Sequence, residues 1–369
     1  MAKKKLSEYI IAYFDILGYK NNVINLSELE ENELIMKIER SVKKIYKETK
    51  IPEEAFSVKV YSFSDNFLIA VKIKNIEFYF SEFAYLVEIL QNIQHELTIM
   101  HGLFIRGGLI KGQLYAGKNF VYGKGLINAY EIEDKLSVYP RIVVDRQLLN
   151  ELLSLFPYEC SVGDNDFLII FNDLLAHQYE AYIKYPDPTI TIPEDKLSNI
   201  LKRVSNVKLQ KDMDGNYFIN YLQQIEYLRY WIENDNGKID YTENHDIATA
   251  YLNLYIIRVL INLYNNNNDI KIAEKYLWCC SHYNIFCIEN NYMDTIIDID
   301  ELRINANNKE YILELIRNVE LIKILEPIKN TDVITEIVSD EISIQNMRKG
   351  TAALLVLAVN EIEKFLKNE

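Results

Sequence analysis

Ala12-Tyr-Phe-Asp-Ile-Leu-Gly18 and Tyr61-Ser-Phe-Ser-Asp-Asn66 each set one carboxylate, Asp15 and Asp65, into a run that otherwise reads as buried sheet. An ionised group in such a place is costly unless it is paired or bound to a cation. A divalent ion shared by the two would remove that cost from both. Taken alone, Asp15 also suits a strand end or turn, where aspartate is common.

Around the first stretch, Ser7 to Phe14 is apolar and β-prone, and Gly18 lets the chain turn after Asp15. Leu29, Leu34, Ile38, Val42 and Ile45 recur at helical spacing between Ser27 and Lys50, which predicts an amphipathic helix. Phe56 to Tyr61 and Phe67 to Lys72 are strand-like and flank Ser64-Asp65-Asn66, so Asp65 is expected at a hairpin tip. Phe78 to Met100 returns to helical periodicity, and Phe104 to Ile110 with Gln113 to Tyr115 predicts a strand pair about Gly112. The first 120 residues therefore read β-α-β-β-α-β, an α+β fold in which two helices cover one face of an antiparallel sheet.

Beyond this core, Gly123 to Glu133 predicts a helix after small residues, Arg141 to Asp145 a strand, Arg146 to Leu155 a helix and Phe167 to Phe171 a strand. Tyr185-Pro-Asp-Pro188 marks a surface excursion spanning roughly 172–205, because proline disfavours helix interiors and central strands. Val207 to Lys211 and Tyr217 to Tyr221 surround Met213-Asp-Gly-Asn216, a hairpin that would close the sheet. From about Gln223 helices predominate: Tyr227 to Ile232, Asp246 to Tyr264, Ile270 to Asn284, Lys309 to Leu325 and Thr351 to Leu366. The expected organisation is a domain over 1–225 and a helical region over 226–369. Gly107, Gly108, Gly112, Gly117, Gly123 and Gly125 match no phosphate-loop fingerprint and suit turns and close strand packing.

Composition narrows the function. The 369 residues carry 40 Lys plus Arg against 54 Asp plus Glu, a formal charge of −14 that repels a nucleic-acid backbone. Cys160, Cys279, Cys280 and Cys287 lack metal-site or disulfide spacing and read as reduced core residues. Met-Ala-Lys-Lys-Lys is followed by no signal-length apolar run, and Ala352 to Val359 is too short to cross a bilayer, so cytoplasmic residence without membrane association is expected. His95 and His101 lack the spacing of a metal pair and read as structural, as does the aromatic cluster of Lys275 to Trp278 with His282 and Tyr283.

The motifs together resemble the class III nucleotide cyclases. Phe14-Asp-Ile-Leu-Gly18 resembles their first metal-binding segment, Phe63-Ser-Asp65 their second, and Arg106-Gly-Gly-Leu-Ile-Lys-Gly112 their Arg-Val/Ile-Gly-Ile-x-x-Gly strand. Tyr122 to Glu131 falls where the family has a glycine and an Asn-x-x-x-Arg helix, and Lys208 to Tyr221 resembles its closing hairpin. The position four before the second aspartate, where purine cyclases place a base-selecting Lys or Glu, is Tyr61. The other base-reading position, three before Gly123, is Phe120, so neither purine code is present. An aromatic side chain can stack on a base, and a phenolic oxygen can hydrogen-bond a smaller ring. In this, and in Arg106-Gly-Gly, Asn128 to Glu133 and Tyr139-Pro-Arg-Ile142, the chain resembles the pyrimidine cyclases of bacterial Pycsar antiphage systems.

The resemblance implies attack of a ribose 3′-hydroxyl on the α-phosphate of the same pyrimidine nucleoside triphosphate, UTP before CTP, with pyrophosphate leaving. Asp15, Asp65 and the Ile16 carbonyl would hold two Mg2+ or Mn2+ ions. It also implies a homodimer with shared sites, and a separate effector that detects the cyclic product in antiviral defence. Ile127 and Glu131 stand where the family has its transition-state Asn and Arg. Arg106, Lys111, Lys118 and Arg141 are the cations near matched segments; Arg106 is favoured, then Lys118, with Glu131 expected to orient Arg106 or another cation. Lys208 and Lys211 are both candidates for triphosphate binding. Two alternatives stay open: a purine cyclase or other palm-type nucleotidyltransferase, and an inactive cyclase-like protein that binds nucleotide and signals through its helices.

Overall fold

A computed structural model describes residues 5–19, 28–49, 57–155, 172, 209–229, 232–233, 239–240, 245–319 and 347–369. The described residues divide into two compact units: a sheet unit reaching to Tyr221 but without 98–102, and a helical unit of 98–102 and everything from Leu222 onward.

In the first unit, β1 (Ser7–Ile16) is followed by α1 (Glu28–Glu48), β2 (Val58–Phe63), β3 (Asn66–Lys72), α2 (Tyr79–His101, whose last turn from Thr98 belongs to the second unit) and β4 (Ile105–Ala116). Next come β5 (Val121–Tyr122), α3 (Lys124–Lys135), β6 (Ile142–Val144), α4 (Arg146–Leu153), β7 (Leu209–Lys211) and β8 (Tyr217–Ile219). The strands lie in the order β2-β3-β1-β4-β6-β8-β7, with β5 paired to β4. The sheet is mixed rather than wholly antiparallel as expected, because β4 and β6 run parallel, Gly107 opposite Ile142.

β1 is central, and both its faces are covered, which is why it reads as an almost unbroken apolar run. Ile10, Ala12, Phe14 and Ile16 point into a core with α2 residues such as Phe83, Leu86, Leu90 and Ile93, α4 residues Leu148, Leu149 and Leu152, and Ile45 of α1. Phe14 stacks on Phe67 of β3 at 5.3 Å between ring centroids. Tyr9 and Ile11 point the other way and pack with Leu68, Ala70, Ile110, Leu114 and Ala129, the last from α3. So α1 and α2 share one face, while α3 lies on the opposite one, where no helix was expected.

Gly112 does not turn the chain as expected: β4 continues past it, and the hairpin falls at 117–120, closed by Gly117 N donating to Phe120 O at 3.0 Å. The missing side chain serves packing instead. A Cβ on Gly112 would lie 2.6 Å from Gly125 Cα, and one on Gly108 2.8 Å from the Ala129 carbonyl oxygen and Ile132 Cβ, so these glycines let α3 rest directly on β4. Ala116 and Val121 pack on the same cluster as Tyr61, which folds the β4–β5 tip over the α3 face.

β7 and β8 form the expected closing hairpin, and Asn172 completes β7 with its side chain, donating to Leu209 O at 3.0 Å and accepting from Leu209 N at 3.1 Å. The expected strand Phe167 to Phe171 and the Tyr185 to Pro188 linker lie outside the described residues, as does Cys160.

The second unit contains α5 (Gln223–Arg229), β9 (Ile232–Glu233), β10 (Ile239–Asp240), α6 (His245–Asn266), α7 (Ile270–Glu289), α8 (Ile299–Ile304), α9 (Lys309–Asn318) and α10 (Met347–Asn368). A helix continuing to Ile232 was expected; α5 ends at Arg229, and Ile232 pairs with Asp240 in a two-stranded sheet. Arg258 of α6 is buried, its Nη2 donating to Met100 O at 2.8 Å and Glu361 at 3.0 Å. Among the described residues, Cys279, Cys280 and Cys287 are buried in α7 and form no disulfide. Among the described residues, no helix is long and apolar enough to cross a membrane.

Candidate functional site

Register places the key residues. Asp15, at the end of β1, lies opposite Asn66 of β3 on one side and Arg106 of β4 on the other. Asp65 sits in the two-residue turn between β2 and β3, where Ser64 takes φ 56°, a left-handed conformation uncommon for a residue with a side chain. The turn is tied to β1 by Ile16 N donating to Asp65 O at 3.2 Å.

Strand alternation turns Tyr13 and Asp15 to the α3 face, together with Tyr61 of β2 and Arg106. The Tyr13 hydroxyl donates to Asn66 Oδ1 at 2.5 Å, and Asn66 Nδ2 donates to Asp65 Oδ1 at 3.1 Å. Burial, and then the charges of Glu133, Asp15, Tyr130 and Asp65, push the Tyr13 hydroxyl up to about 12. Both aspartates therefore act on the same phenol.

Arg106 grips Asp15 with Nε at 3.1 Å from Oδ1 and Nη2 at 3.2 Å from Oδ2, and Nη2 also lies 2.6 Å from Glu133 Oε1. Burial alone would lower its pKa, but Asp15 first and then Glu133 hold the guanidinium above its ordinary value. Glu131 was expected to orient Arg106 or another cation: it is exposed and pairs with Lys135 at 3.2 Å, while the α3 partner of Arg106 is Glu133, 3% exposed. A signal for this lay in the sequence: Gly125, Ala129 and Glu133 are spaced by four, and all three are on the buried side of α3.

Tyr61 donates its hydroxyl to the Gly117 carbonyl at 2.5 Å, at the tip that carries Lys118 and Phe120. Burial, and then Tyr9 and Tyr115, raise the pKa of this phenol. Lys118 is exposed; Phe120 is half exposed, its ring 5.3 Å from that of Tyr115. Two groups thus form on one face, Asp15–Asp65–Arg106 and Tyr61 with the 117–120 tip.

The other cations are engaged elsewhere. Lys111 points to the opposite face of β4, with Nζ 2.8 Å from Glu151 and 5.0 Å from the Tyr79 ring centroid. Arg141 is fully buried and clamps the β7–β8 turn through Asp212 and Asp214. Lys211 lies over the Tyr217 ring at 5.7 Å, on the strand third from β4, so the chain does not bring it to its own Asp15. Lys208 lies outside the described residues. A cleft of about 470 Å3 between α3 and α4, lined by Lys111, Glu131, Lys135 and Glu151 among others, does not include Asp15, Asp65 or Arg106.

Among the described residues, no three His, Cys, Asp or Glu side chains converge as a ready-made metal cage. Mg2+ and Mn2+ do not require one, since hard ions of this kind take one or two carboxylates and complete their shells with substrate phosphates and water. Asp15 and Asp65, both half-buried on neighbouring backbone, offer oxygen donors only; Asp15 shares both of its oxygens with Arg106 and Asp65 one with Asn66, and each oxygen keeps a lone pair for that mode.

No protein-family model matches the chain, and no curated protein matches it. Among solved structures, a bacterial light-regulated adenylyl cyclase is similar over 39% of this chain and 78% of its own, with 16% identity and a TM-score of 0.30.

Proposed function

We propose that the chain is a metal-dependent nucleotide cyclase that converts a pyrimidine nucleoside triphosphate, UTP before CTP, to its 3′,5′-cyclic monophosphate and pyrophosphate. The observation that carries this reading is that the turn holding Asp65 is hydrogen-bonded to β1 beside Asp15, with Arg106 of β4 gripping Asp15 on the same face. Asp15, Asp65 and the Ile16 carbonyl are the groups that would hold two Mg2+ or Mn2+ ions. Bound there, the ions would lower the pKa of the 3′-hydroxyl and neutralise the triphosphate.

Arg106 contacts Asp15 and Glu133 through Nε and Nη2, and Nη1 is the nitrogen we assign to the α-phosphate oxygens, where charge builds during transfer. Lys118, at the exposed tip, is assigned to the leaving pyrophosphate. Tyr61 and Phe120 offer ring faces to a base, while the Tyr61 hydroxyl holds the tip. Phe63, Tyr122, Ile127 and Tyr130 are 84%, 68%, 58% and 49% exposed around this face, which suits a second copy of the chain. In such a homodimer, Lys211 would serve the partner's triphosphate. The role in antiviral defence, and the separate effector that reads the product, rest on the sequence resemblance alone.

The test is to incubate the purified protein with Mn2+ and each of the four ribonucleoside triphosphates and identify products by mass spectrometry. A cyclic pyrimidine monophosphate is expected; a cyclic purine or a linked dinucleotide overturns the substrate assignment. A second reading, an inactive cyclase-like nucleotide binder, draws on Ile127 and Glu131, which project from α3 where the family has Asn and Arg. Binding of nucleotide without any product supports that reading instead.

A further inference from the structure

We propose that Tyr13 and Asn66 are positioning residues for Asp65, acting as a two-bond relay that fixes how its carboxylate faces a divalent ion. The inference rests on the metal role proposed above and adds to it the residues that set the carboxylate's orientation.

Asp65 has little to hold its side chain, since it sits in a two-residue turn with Ser64 at φ 56° before it. A carboxylate there can rotate about its side-chain bonds, and each wrong rotamer subtracts from ion affinity. Asn66 supplies one constraint, donating Nδ2 to Asp65 Oδ1 at 3.1 Å. An asparagine amide can present either its oxygen or its nitrogen, however, and the choice is set by its other partner. That partner is the Tyr13 hydroxyl, 2.5 Å from Asn66 Oδ1. A phenol that donates to the amide oxygen turns the amide nitrogen toward Asp65. With one lone pair of Oδ1 engaged, Oδ2 is left to face a cation.

The tyrosine is itself fixed. Its ring meets Tyr130 of α3 edge-on, with centroids 5.8 Å apart and an interplanar angle of 77°. Its backbone lies in the central strand, opposite Leu68 and Gly108. The relay therefore runs from the rigid centre of the sheet to the hairpin tip, and each member lies on the same face as Asp15. Ligand-orienting groups of this kind typically change metal affinity by about 10- to 100-fold when removed.

The experiment is a titration of the full chain with Mn2+ alone, with free ion read by electron paramagnetic resonance, for wild type, Tyr13→Phe, Asn66→Ala, the double variant and Asp65→Ala. Melting temperatures identify any variant that fails to fold, and Asn66→Leu, which keeps the side-chain volume but offers Asp65 no donor, is the substitute for Asn66→Ala in that case. Expected is a loss of about 10-fold in affinity for each single variant. The double variant should lose no more than Asn66→Ala alone, because the phenol acts only through the amide. Additive losses, or Tyr13→Phe binding as wild type does, overturn the relay. Asp65→Ala separates this from the functional reading: if it binds Mn2+ as well as wild type, the metal assignment itself fails, whatever the relay variants do.

Discussion

Arg106 holds both carboxylate oxygens of Asp15 while its Nη2 lies 2.6 Å from Glu133, so one guanidinium joins the end of β1 to the buried side of α3. Glu133, at 3% exposure, is the buried acid of that contact. Arg106→Ala should destabilise the chain by about 3–5 kcal/mol, the cost of removing one partner of a buried ion pair. Adding Glu133→Gln in the same background should restore most of the loss in urea unfolding. If the double variant is no more stable than Arg106→Ala, Glu133 does not depend on this pairing.

Arg106→Lys separates charge from geometry. An ammonium cannot reproduce the two-pronged grip, and a lysine is not an equivalent phosphate donor. Cyclisation should drop by about 100-fold or more, the scale of losing one preorganised donor. Stability should fall less than in Arg106→Ala, because Glu133 keeps a cation within reach.

Asp65 is at a turn, so Asp65→Ala removes the proposed cation ligand without opening the core. Turnover should fall to background while the melting temperature stays within a few degrees, as for a surface change of about 0.5 kcal/mol. Retained turnover in this variant would refute the metal role.

These expectations show where the sequence was informative. The hairpin placing Asp65 was legible because Ser64-Asp65-Asn66 is turn chemistry between two β-prone runs, and Ser64 does take a turn conformation. The strand through Gly112 was not, because a glycine that permits a turn and one that permits contact with Gly125 Cα read alike until α3 is in place. Glu133 was missed as the partner of Arg106 because the choice depends on which side of α3 faces β4, a tertiary fact. For the same reason Arg141 read as an available cation, although it is buried against Asp212 and Asp214.

Tyr61 is engaged by the Gly117 carbonyl, so its hydroxyl and its ring can be separated by mutation. Tyr61→Phe keeps the ring and should leave product identity unchanged, while losing about 1 kcal/mol of the hold on the tip. Faster hydrogen exchange at amides 117–120 is the readout. Tyr61→Lys replaces the ring itself and should shift nucleotide preference if that ring meets the base. An unchanged preference in Tyr61→Lys removes Tyr61 from base recognition.

His95, in α2, gives a pH dependence whose sign is fixed by burial. Burial, and then the nearby Lys44 charge, lower its pKa from 6.5 to about 3. Above pH 6.5 the imidazole is neutral in the folded and unfolded chain alike, and contributes no pH dependence. Between about 6.5 and about 3 the unfolded chain binds the extra proton, so stability falls as pH falls through that window. The slope approaches about 1.4 kcal/mol per pH unit well inside it, which puts pH 5.5 about 1.4 kcal/mol below the plateau. Urea midpoints at pH 7.5 and 5.5 should show that drop in wild type and a smaller one in His95→Gln, because glutamine cannot take up the proton in either state. Equal drops in the two proteins would mean that His95 is not held neutral in the folded chain.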